Sequence, residues 1–70
     1  MKIELTLNNH KSEYVVFFGD DKIIVISPDK NKALDVSIDS AFEIIPYIMN
    51  SFEHILNTSE VNYLNIRLVK

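Results

Sequence analysis

Polar and apolar residues alternate strictly at the start of the chain: Ile3, Leu5 and Leu7 on one side, Lys2, Glu4, Thr6 and Asn8 on the other. Side chains alternate across a strand, so residues 2–8 are predicted to form a half-buried strand. The next two stretches break that rule. Tyr14-Val15-Val16-Phe17-Phe18 and Ile23-Ile24-Val25-Ile26 are apolar at odd and even positions alike. Both faces of the two strands expected over 13–18 and 22–27 are therefore apolar. Asn8-Asn9-His10-Lys11-Ser12 reads as a turn, because Asn tolerates the left-handed region. Gly19-Asp20-Asp21 reads as a hairpin connection with Gly19 available for positive φ. Ser27-Pro28-Asp29-Lys30-Asn31 is a loop around a proline turn. Residues 33–38 alternate again, with Leu34, Val36 and Ile38 against Ala33, Asp35 and Ser37, and predict a fourth strand.

The period then changes. Ala41, Ile45, Ile48, Phe52 and Ile55 recur at spacings of three and four, flanked by Phe42, Met49 and Leu56, which predicts one amphipathic helix over about 40–57. Ser40 with Glu43 three residues on is a capping-box pattern, with Asp39 the competing cap. Pro46 lacks an amide hydrogen and crowds the preceding turn, so a kink is expected near Phe42–Ile45, or an irregular first turn with regular helix from about 46. Residues 61–69 form a last strand, Leu64, Ile66 and Leu68 inward and Tyr63, Asn65 and Arg67 outward.

The order is ββββαβ, an α+β domain spanning residues 1–70: an antiparallel sheet of four to five strands with one helix on one face. The last strand is placed antiparallel beside the first, because antiparallel pairs outnumber parallel ones. A three-residue loop closed by Phe18 and Lys22 puts Tyr14, Val16, Phe18, Lys22, Ile24 and Ile26 on one face. Glu13, Val15, Phe17, Ile23, Val25 and Ser27 then share the other. Polar residues bracket the second set, so it is assigned outward. Its four apolar residues approach the few hundred Å² at which exposed apolar surface marks an interface. Val15, Phe17, Ile23 and Val25, with the turn acids Asp20 and Asp21, are the candidate partner-binding residues.

Composition sharpens this picture. A 70-residue domain buries only about 60% of its unfolded surface and needs help from disulfides, metals or oligomerisation. With no cysteine, disulfides and thiolate metal sites are excluded, and oligomerisation, most simply a homodimer, is left. The net charge of −3 argues against a general phosphate-backbone binder. His10 and His54 have no metal-ligand spacing, one glycine rules out phosphate-loop and dinucleotide fingerprints, and no serine sits in a nucleophile-elbow context. No cofactor and no metal are expected, and no membrane span or signal-peptide core is seen, so a cytoplasmic protein is expected. The abundance of Asn, Ile and Lys suggests an AT-rich bacterial or phage source.

The function expected from this is a small non-enzymatic interaction module: an inhibitor, antitoxin or adaptor that binds another protein through an apolar sheet face. An alternative is a single-strand nucleic-acid binder stacking bases on Tyr14, Phe17 and Phe18. A third is a small enzyme built at a dimer interface from His54 and carboxylates.

Overall fold

The computed structural model describes residues 1–7, 11–58 and 64–70, the side chains of 52–58 excepted. Strands β1 (Lys2–Leu7), β2 (Glu13–Phe18), β3 (Ile24–Ser27) and β4 (Leu64–Val69) form one antiparallel sheet in the order β3-β2-β1-β4. Helix α1 runs from Ile38 to Thr58 and packs on one face. The fold is α+β, and β4 lies antiparallel beside β1, paired from Lys2–Val69 to Leu7–Leu64.

The core lies between sheet and helix. Ile3, Leu5 and Val15 from the strands meet Ala41, Ile44 and Ile48 from α1, all essentially closed to solvent. Leu7, Phe18, Ile24, Ile26, Leu64, Ile66 and Leu68 surround them, half-buried. The inward residues of β1 and β4 are those the alternation selects. On the helix the buried stripe is turned slightly from the expected one, with Ile44 in the core and Ile45 half-buried at its margin. Phe52, Ile55, Leu56 and His54 lie outside the described side chains, and His10 and Tyr63 outside the described residues.

Three expectations are corrected. The segment 33–38 is not a strand, so the order is βββαβ rather than ββββαβ. Its backbone bonds are split between two neighbours. Leu34 N–H donates to Val15 C=O in β2 at 3.0 Å. Val36 exchanges a pair with Met1, ahead of β1: its N–H donates to Met1 C=O at 2.7 Å and its C=O accepts from the N-terminal ammonium at 2.9 Å. A ladder needs successive bonds to one neighbour. Among the described residues β1 and β2 pair at Glu4–Tyr14 and Leu5–Glu13, and the segment satisfies backbone groups beyond those pairs. A 3-10 turn at Lys30–Lys32 precedes it, and the Lys2 ammonium, on the face away from the helix, donates to Lys30 C=O at 3.4 Å. Leu34 and Val36 pack against the core. The chain thereby passes from the outer face to the helix layer.

The helix also starts earlier than expected. Ser37 is the cap: its Oγ accepts Ser40 N–H at 3.1 Å and its C=O accepts Ala41 N–H at 2.9 Å. Asp39 sits in the first turn, where the helix dipole favours an acid. Finally, α1 runs from Ile38 through Pro46 to Thr58 as one helix, so the irregular first turn with helix only from about 46 is not found. Phe42 C=O, the acceptor Pro46 cannot serve, belongs to an exposed residue, so water can take the missing bond.

Candidate protein-binding surface

The decisive detail of the outer face is a bulge in β2. Tyr14 pairs with Ser27 and Val15 with Ile26, but Phe17 pairs with Val25 and Phe18 with Ile24. One extra residue, Val16, sits between the two registers. A bulge of this kind reverses the facing of everything beyond it. Val15 and Phe17, both odd-numbered, therefore lie on opposite faces. Val15 is 1% exposed and belongs to the core, which corrects its outward assignment. Phe17, Val25 and Ile23 do face outward, at 52%, 45% and 55% exposure.

The hairpin tip holds this patch in place. Lys22 N–H donates to Gly19 C=O at 2.9 Å and Gly19 N–H to Ile23 C=O at 3.0 Å, enclosing the three-residue loop Asp20-Asp21-Lys22. This is a tight turn followed by a left-handed residue. The left-handed position belongs to Lys22 (φ 67°) rather than to Gly19, contrary to the sequence expectation. Gly19 serves close approach instead. A Cβ there would lie 2.8 Å from Asp21 Oδ1 and 3.0 Å from the Phe17 ring. Asp21 Oδ1 also accepts Ile23 N–H at 3.3 Å. Phe17, Asp21 and Ile23 thus gather around the tip, with Asp20 and Asp21 exposed beside them.

Phe18, inward, meets the Tyr47 ring on α1 at 5.6 Å between centroids. The Lys22 ammonium lies over both rings, 5.5 Å and 5.2 Å from their centroids, and ties the tip to the helix. Of the three aromatics in the stacking alternative, Phe17 alone is more than half exposed, while Tyr14 and Phe18 are half-buried.

One cluster escaped the sequence reading. Glu4 is 7% exposed on the outer face. Arg67 donates to Glu4 Oε1 through Nε at 2.9 Å and also through Nη2, and Tyr14 OH donates to Oε2 at 3.2 Å. Arg67 holds the Glu4 carboxyl below its usual range, against the opposing effect of burial. Burial and the neighbouring carboxylate push the Tyr14 hydroxyl up, and Glu4 raises Arg67 further. The available signal was alternation: Glu4 and Arg67 are the outward residues of strands already placed side by side. The cover over Glu4 is a mostly exposed arginine rather than deep packing, so the cluster fits a cross-strand tie.

Among the described residues no helix is long and apolar enough to cross a membrane, and no three His, Cys, Asp or Glu side chains converge as a metal site would require. No protein-family model, curated protein or solved structure matches the chain.

Proposed function

We propose that the chain is a non-enzymatic binding module that recognises another protein through Phe17, Ile23 and Val25, with Asp20 and Asp21 at the rim. An inhibitor, antitoxin or adaptor of bacterial or phage origin, acting in the cytoplasm, has this form. The observation that supports the reading is the exposure of all three apolar side chains around a braced hairpin tip. Apolar anchors in the middle of a patch carry most of an interface's energy, and rim charges mainly steer association. The two acids favour a partner with a basic rim. In this reading the chain also self-associates as a homodimer, which adds buried surface that a domain of this size lacks on its own.

The test is comparative affinity capture from a bacterial lysate with wild type, Phe17→Asp and Val25→Lys, each shown folded by circular dichroism. A partner retained by wild type and lost by both variants supports the reading. Equal retention by all three overturns it. Fluorescence anisotropy with a single-stranded oligonucleotide provides the contrast. Binding at physiological salt should be no tighter than ordinary non-specific levels, about 10⁻⁴–10⁻⁶ M. Sub-micromolar, salt-sensitive binding would favour base stacking on the sheet instead.

A further inference from the structure

The two edges of the sheet are treated differently. β3 is four residues long, faces a bulged neighbour and is followed by Pro28. Short strands, bulges and proline are the devices that protect an edge from further pairing. β4 has none of them. Its six residues pair with β1 without interruption, and among the described residues nothing pairs with its other side. Its one charged side chain, Arg67, lies on the outer face, tied to Glu4 but still more than half exposed, and leaves the backbone groups of the edge uncovered. A regular open edge presents a row of backbone donors and acceptors that only another extended strand can satisfy.

We infer that β4 pairs antiparallel with β4 of a second copy, so that two four-stranded sheets join into one of eight strands. This rests on the self-association in the proposed function and assigns it to a surface separate from the Phe17 patch. The sequence of the edge is self-complementary. Pairing centred on Ile66 sets Ile66 opposite Ile66 of the second copy, Leu64 opposite Leu68, and Asn65 opposite Arg67. Pairing centred on Arg67 would oppose two guanidinium groups, which disfavours that register. No acid occurs in β4, so the −3 charge of each copy is kept off the seam.

The helix layer agrees. Ile38, Phe42 and Met49 are each more than half exposed and recur at helical spacing on the flank of α1 opposite Tyr47. Tyr47 rests on Phe18 near β3, so this apolar flank faces the β4 side. A two-fold axis at the β4 edge keeps both helices on one face of the joined sheet. Their apolar flanks then face each other over a floor formed twice by Leu64, Ile66 and Leu68, which are only half-buried in one copy. Strand pairing together with this floor extends the contact toward the roughly 800 Å² per partner of a standard interface.

The experiment is sedimentation equilibrium over a micromolar concentration range on wild type, Asn65→Glu, Asn65→Arg and Phe17→Asp, with circular dichroism to show that each is folded. In the Ile66-centred register residue 65 faces Arg67 of the other copy twice. Asn65→Glu is therefore expected to tighten the dimer and Asn65→Arg to weaken it, each by roughly 2- to 30-fold. Phe17→Asp should leave it unchanged. A dimer broken by Phe17→Asp but indifferent to both changes at 65 overturns the edge pairing while self-association stands. A monomer at all concentrations overturns both.

Discussion

Val15 and Phe17 show how much a single inserted residue controls. They have the same parity, similar apolar character and positions two apart, yet one lies in the core and the other in solvent. The bulge at Val16 makes the difference. Exchanging each paired position for an acid separates the two environments. Val15→Asp buries an unpaired carboxylate and should remove most of a stability expected to be about 5 kcal/mol. Val25→Asp, on the exposed partner of Phe17, should change stability by about 1 kcal/mol or less while abolishing capture of a protein partner. Urea unfolding followed by circular dichroism measures both. Equal costs would mean that the Phe17–Val25 register runs on without a bulge and puts Val15 and Val25 on one face. Lys22 teaches the same lesson at the hairpin tip: a left-handed position went to a lysine held over two rings, where composition alone pointed to the glycine.

At the level of elements, the helix was legible in its period and misjudged in its phase and ends. Ala41 and Ile48 are buried as the three-four spacing requires, but Ile44 takes the core position expected of Ile45. The apolar arc of α1 is wider than the sheet can cover, so sequence marks the arc and packing selects its buried half. Ile48→Ala should therefore cost about 2–5 kcal/mol by the large-to-small rule. Met49→Ala, on the exposed half, should stay within about 0.5 kcal/mol at concentrations low enough to keep the chain monomeric. Chemical denaturation of the two variants decides it, and a large loss from Met49→Ala would place the other half of the arc in the core. The segment 33–38 failed as a strand for a related reason. Alternation reports one buried side, and Leu34 and Val36 are half-buried, but the ladder partner that makes a strand is absent from the local pattern.

For the whole molecule, Glu4 links three strands, through Tyr14 on β2 and Arg67 on β4. Its folded pKa lies below its unfolded one, with Arg67 the largest cause. Stability from this tie is thus fully present above the ordinary carboxyl range and is lost as pH falls through the folded pKa. Glu4→Gln should flatten that part of the acid-unfolding curve. Arg67→Met should lower stability at neutral pH and remove or reverse the loss on acidification, because burial without the counter-charge favours the protonated carboxyl. Thermal melts from neutral pH down to about pH 2, bracketing the carboxyl range, test this. Unchanged slopes in both variants would show that the cluster does not couple to folding.

The sequence by itself determined the α+β class, β1 and β4 with their inward residues, the central apolar hairpin, the helix, and the excess of apolar surface. These follow from local periodicity, which a chain carries wherever it folds. Tertiary structure decided the bulge at Val16, the buried half of the helix, the path of residues 33–37 and the meeting of Glu4, Tyr14 and Arg67. Each depends on which groups find partners across the sheet, and that pairing joins residues as far apart as Lys2 and Val69, beyond the reach of any local pattern.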